Sequence, residues 1–122
     1  MKKLYLLTFV MTISMFNLFG QQKKESTKKQ YKFKDSENTA CIVCNHVLSK
    51  ERSILYAAHD GEADWQFLCG QDDHTEENAK IISLKQVTEL DHTVNDLYEM
   101  PIKVGAERKS VKDKWEPFKL QD

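Results

Sequence analysis

Three cysteines and two histidines stand close together in the chain: Cys41, Cys44, His46, Cys69 and His74. Thiols and imidazoles are the side chains that hold zinc, and Cys41-x2-Cys44 followed by Cys69-x4-His74 has the form of a metal-ligand spacing. The residues between the first two cysteines argue against both serving one ion. Ile42 and Val43 are β-branched and favour extended backbone. On a strand, residues three apart point to opposite faces. Cys44 and His46 share a face, and if their strand lies beside the one that ends in Cys69, then Cys44, His46, Cys69 and His74 form the candidate metal set. A disulfide is a second use of the same thiols, and it leaves one cysteine over. The simplest use is as free buried cysteines, which pack as small hydrophobes and call for no cofactor.

Just after Cys69 comes Gly70-Gln71-Asp72-Asp73-His74-Thr75-Glu76-Glu77. Its carboxylates and imidazole could serve as metal ligands or as an acid/base pair, but no nucleophile accompanies them. The chain has no G-x-S-x-G, P-loop, H-E-x-x-H or G-x-G-x-x-G. The expectation is therefore a domain without enzymatic activity. The simpler use is a solvated loop whose aspartates bond backbone amides. As a functional surface, Asp72, Asp73, Glu76 and Glu77 are the candidates for touching a partner, beside Gly70 where mobility would help docking.

The elements that must position these groups follow from periodicity. Thr39 to Leu48 is rich in β-branched and small apolar residues, and Arg52 to His59 and Asp64 to Cys69 read as two further strands joined through Asp60-Gly61-Glu62-Ala63. With a four-residue loop, Ala58 faces Trp65, Tyr56 faces Phe67 and Ile54 faces Cys69, which makes one face of a hairpin apolar. Lys80 to Leu84 suits a short strand. Leu84, Val87 and Leu90, then Val94, Leu97 and Tyr98, recur at helical spacing. Asp91 or Thr93 can cap the second helix and Pro101 ends it, after which Ile102, Val104 and Ala106 alternate as a returning strand. These elements predict a single α+β domain, mainly antiparallel sheet with two short helices. The 40% hydrophobic content is enough to build one core in a chain of 122 residues.

The N-terminal third has a different composition. Met1-Lys2-Lys3, the apolar run from Leu4 to Phe16 and the small Gly20 have the layout of a secretory signal peptide over residues 1–20. The run is too short for a membrane span of about 20 apolar residues. Residues 21–34 carry six lysines against Glu25 and read as a flexible basic linker, which leaves 35–122 as the domain. The expected location is periplasmic or secreted, with cleavage after Gly20.

The net charge of -1 conceals a polarity. Residues 35–122 hold ten Lys/Arg against eighteen Asp/Glu, which disfavours nucleic acid as a partner and favours a basic protein.

The order of landmarks resembles a known group. Cys-Ile-Val-Cys-Asn-His-Val at 41–47, Asp-Trp-Gln-Phe-Leu-Cys-Gly at 64–70, Asp-Asp-His at 72–74, Ile82-x-Leu84 with Val87 and Asp91, and Pro101 followed by Gly105-Ala106-Glu107-Arg108 are similar to a bacterial family of small domains grouped with immunity proteins of polymorphic toxin systems. The resemblance spans about residues 40–115. It implies a binding domain whose partner is a cognate toxin. The N-terminal segment makes the first prediction: mass spectrometry of the protein from its native host finds Gln21, or a residue next to it, at the mature N-terminus. Residues 1–20 still attached would contradict it.

Overall fold

A computed structural model describes residues 31–121. The expected signal peptide and most of the expected linker lie outside the described residues. The remainder folds as a six-stranded sheet with short helices, in the order β1 (Ala40–Cys44), α1 (Asn45–Leu48), β2 (Tyr56–His59), β3 (Trp65–Leu68), a 3₁₀ turn (Glu76–Asn78), β4 (Ala79–Ser83), α2 (Leu84–Leu90), a 3₁₀ helix (His92–Leu97), β5 (Val104–Glu107) and β6 (Glu116–Lys119). The α+β class is as expected. Strand order is β4-β1-β3-β2-β5-β6. Every neighbouring pair is antiparallel except β1 and β3, which run parallel with Cys41 opposite Trp65 and Val43 opposite Phe67.

The core lies on one face. Cys41 and Val43 of β1, Trp65 and Phe67 of β3, Ala57 of β2 and Ala106 of β5 are buried there against Leu84, Val87, Val94 and Leu97. The first helix of this cover is well specified locally. Ser83 caps α2 by accepting from the Gln86 amide, while the Gln86 side chain accepts from the Ser83 amide. Asp91 caps the 3₁₀ helix that follows, accepting from the Thr93 amide at 2.9 Å.

The linker boundary expected at Asp35 is corrected by four residues. Phe33 is buried with its ring edge-on to Trp65 at 5.1 Å, and Tyr31 packs beside it. The Lys32 amide donates to Asn95 Oδ1, the Tyr31 hydroxyl donates to the Asp35 carbonyl, and Trp65 Nε1 donates to Asp35 Oδ2. Local composition hides this strap because its partners are some 30 to 60 residues away in sequence.

The hairpin is corrected by one residue. His59 pairs with Trp65, Ala57 with Phe67 and Tyr56 with Leu68. The loop holds three residues rather than four, because the Asp60 amide donates to the Asp64 carbonyl and extends the ladder. Asp60 Oδ1 accepts from the amides of Glu62 and Asp64, and Ala63 takes the left-handed conformation at φ 69. A three-residue loop ending in such a residue is a standard hairpin closure. A slip of one residue turns one strand over relative to the other. Trp65, Phe67 and Ile54 are buried as expected, but Tyr56 lies half-buried on the outer face beside Phe118.

β6 has no counterpart in the periodicity. Pro117 breaks its pattern, and an edge strand is where a residue without an N–H is tolerated. Its register is fixed by close approach: a Cβ on Gly105 would lie 2.7 Å from the Phe118 ring. Beside it, Arg108 is fully buried and fully used. Its Nε and Nη2 donate to the Ile54 carbonyl, Nη1 to Thr93 Oγ1 and Nη2 to Asp91 Oδ2 at 2.7 Å, with the Trp115 ring 4.0 Å from the guanidinium.

This geometry separates two aromatic truncations. Phe67→Ala should cost about 3–5 kcal/mol of unfolding free energy, and Tyr56→Ala distinctly less, as measured by denaturant titration. Equal losses would restore the slipped register.

Candidate functional site

The chain turns at Cys44. A strand through Leu48 was expected, but Asn45 is poorly suited to continuing one, and residues 45–48 form a single helical turn instead. His46 therefore reaches the side of Cys44 by a turn rather than by strand alternation. The turn closes with Lys50 in the left-handed conformation, and the Arg52 amide donates to the His46 carbonyl at 3.1 Å. That bond carries the Arg52 side chain to the same place.

The second half of the site comes from the end of β3. Because β1 and β3 are parallel, Cys69 emerges beside Cys44. Gly70, at φ 83, then reverses the chain in a conformation that side chains disfavour. The reversal brings His74 back over the two cysteines.

One ligand atom from each of Cys44, His46, Cys69 and His74 lies within 4.8 Å of all the others. His46 Nδ1 is 3.3 Å from His74 Nε2, and His74 Nε2 is 3.3 Å from Cys69 Sγ. Cys44 and Cys69 are buried, while the two imidazoles are half-buried. Burial pushes the Cys44 thiol up, and the neighbouring Cys69 adds to this. The amides of Val47 and Cys69 hydrogen-bond the Cys44 sulfur and pull the other way. Chemically, the cluster is four soft or borderline donors converging on one point, suited to a tetrahedral cation.

Cys41 is not part of it. It faces the core from the opposite side of β1 and its Sγ donates to the Thr39 carbonyl, as the extended Ile42-Val43 pair requires. All three cysteines are free thiols.

The acidic loop divides. Arg52 clamps Asp73 with two bonds, Nη1 to Oδ1 at 3.0 Å and Nη2 to Oδ2 at 2.9 Å, and Nη1 also points at Cys69 Sγ at 3.4 Å. The hydrogen bonds from Arg52 hold the Asp73 carboxyl down to about 2. Asp72, Glu76 and Glu77 are exposed. The far end of the loop is tied as well. Asn78 Oδ1 accepts from the Thr75 amide, and Asn78 Nδ2 donates to Asn45 Oδ1 at 3.1 Å. Where the sequence suggests a mobile loop, residues 70–78 are fastened at Asp73, His74 and Asn78. Arg52 is the site residue that sequence reasoning misses. Its spacing from Cys69 and Asp73 follows no periodicity, because only the fold brings them together.

A small α+β domain with a buried Cys/His cluster and a fastened acidic loop is the class that fold and site define. A family model, that of the immunity protein Imm33 domain, matches residues 41–119, and the chain belongs to this family. The match runs from the second residue of β1 to the last of β6 and takes in all four cluster residues. No curated protein and no solved structure matches the chain. Among the described residues, no helix is long and apolar enough to cross a membrane.

The isolated Cys41 gives a pH prediction. Burial, with the Asp35 and Asp64 charges, pushes its thiol from 9.0 to about 12. An unfolded thiol ionises first as pH rises, so this contribution to stability is intact below pH 9 and declines between pH 9 and 12. Over that window, Cys41→Ala should lose less unfolding free energy than the wild type. Parallel losses would place Cys41 in a wetter setting.

Proposed function

We propose that this chain is an exported immunity protein that neutralises a cognate toxin by binding it, without catalysis of its own. The observation that carries this reading is membership of the immunity-protein family over residues 41–119. The charge of the folded part indicates the kind of partner. Ten Lys/Arg against eighteen Asp/Glu over residues 35–122 make a negative body that attracts a basic protein and repels nucleic acid. Export follows from the signal-peptide layout of residues 1–20.

Within that body, Asp72, Glu76 and Glu77 are the contact residues. They are exposed on a loop held at both ends, so docking does not have to pay for ordering it. Asp73 belongs with them in sequence but serves the loop's own structure through Arg52. The cluster argues against a reaction centre, because its four donors face one another and leave no group aimed at a substrate.

The test uses the mature chain and the protein encoded by the adjacent gene. Co-expression should rescue a host from that protein's toxicity, and the two should form a complex whose association rate falls as salt rises. Replacing Asp72 by Asn and both Glu76 and Glu77 by Gln should slow association about tenfold at low salt. The unfolding midpoint should stay in place, since exposed loop charges add little to stability. An unchanged association rate at low salt, or turnover of a substrate by the chain alone, overturns the proposal.

A further inference from the structure

We propose that Cys44, His46, Cys69 and His74 form a structural zinc site that locks the acidic loop onto the sheet. Ion binding stands on the cluster alone. The consequence for docking rests on the immunity reading above.

The four donor atoms lie within 4.8 Å of one another, close enough for one ion to reach them all. With zinc–nitrogen bonds of about 2.0–2.1 Å, two nitrogens of one tetrahedron lie about 3.3 Å apart, and a sulfur and a nitrogen about 3.5 Å. The observed edges are 3.3 Å for His46 Nδ1 to His74 Nε2 and 3.3 Å for Cys69 Sγ to His74 Nε2. Two half-buried imidazoles facing each other nitrogen to nitrogen, over two buried sulfurs, are hard to account for as packing alone. At most one of the two nitrogens can offer a proton to the other, and His46 Nδ1 also faces the Arg52 guanidinium at 3.4 Å, which can only donate. A divalent cation placed between them would take one lone pair from each ring, leaving the Arg52 guanidinium to the Cys69 sulfur and Asp73, which it also reaches.

Charge and surroundings agree. Two thiolates and two neutral imidazoles neutralise a divalent zinc ion, and the adjacent Arg52 and Asp73 neutralise each other. Arg52 Nη1 donates to the Cys69 sulfur at 3.4 Å, which is how zinc-bound thiolates are commonly supported. Four protein ligands close the coordination sphere, so the ion is structural and has no open position for water or substrate. Zinc is the metal expected for a closed site of two sulfurs and two nitrogens.

The ion would join three separate segments: the turn after β1, the end of β3 and the loop that carries Asp72, Glu76 and Glu77. Without it, His74 loses its anchor and the loop is held only by the exposed Arg52–Asp73 pair and the Asn45–Asn78 bond.

The experiment is metal analysis of the full mature chain purified without thiol reductant and with zinc supplied, followed by cobalt(II) replacement. One zinc per chain is expected, and the cobalt form should show thiolate charge-transfer absorption with the intense d–d bands of a tetrahedral centre. Cys44→Ser, Cys69→Ser and His74→Ala should each abolish stoichiometric zinc, while Cys41→Ala retains it. Because His74 lies on the loop and is half-exposed, its variant keeps the fold and separates loss of ligand from loss of structure. Arg52→Gln, which removes the support to the Cys69 sulfur together with the Asp73 clamp but no ligand, should weaken zinc about 10- to 100-fold. Chelation should raise amide exchange in residues 70–78 far more than in β1 or β3. A metal-free chain, a mass lower by two hydrogens from a Cys44–Cys69 disulfide in the zinc-supplied protein, or equal zinc loss in Cys41→Ala would each overturn the site. All of these readouts are independent of toxin binding, so failure here leaves the immunity reading to its own test.

Discussion

The parallel pairing of β1 with β3 is the contact on which the site depends. Two parallel neighbours finish at the same end of the sheet, so the residue that ends β1, Cys44, and the residue just past β3, Cys69, come out side by side. Had these strands paired antiparallel, the same cysteines would sit at opposite ends of a four- or five-residue ladder, some 13 Å or more apart. The pairing is held from the core face, where Val43 and Phe67 are opposite each other with no exposed surface, and Phe33 closes over Trp65 and Phe67. The chemistry at the rim thus rests on apolar packing a few residues away.

A second knot forms around Arg108. Arg108 ties β5 to the Ile54 carbonyl before β2, to Asp91 at the junction of α2 with the 3₁₀ helix, and to Thr93 within that helix. Its side chain is 1% exposed and that of Asp91 is 15% exposed. A buried charge of this kind is tolerated only with its partner present, and breaking such a pair costs about 3–5 kcal/mol. Since Asp91 also caps the helix through Thr93, one carboxylate sets both the helical cover and the return of β5.

The acidic loop is fastened along its length. Residues 70–78 begin at the end of a buried strand, are clamped midway by Arg52 and finish on Asn45. A surface that recognises a partner through fixed charge loses less entropy on docking than one that must first be ordered. The fold thus presents Asp72, Glu76 and Glu77 exposed on a backbone that is tied at Asp73 and Asn78.

Much of this was set by local sequence. Leu84, Val87 and Leu90 at helical spacing behind Ser83 specify α2, and the Ile42-Val43 pair keeps Cys41 and Cys44 apart. Each of these is decided by neighbours within a few positions, where spacing and side-chain type are enough. The tertiary structure decided what depends on distant partners. Phe33 joins the core only because Trp65 is there to meet it, and the hairpin register turns on one backbone bond from Asp60 to Asp64. Arg52 becomes part of the site only once the parallel strands bring Cys69 and Asp73 within its reach. The same four candidate ligands could be named from sequence, but their convergence could not. It requires the strand order, and strand order is fixed by burial summed over the whole sheet rather than by any local pattern.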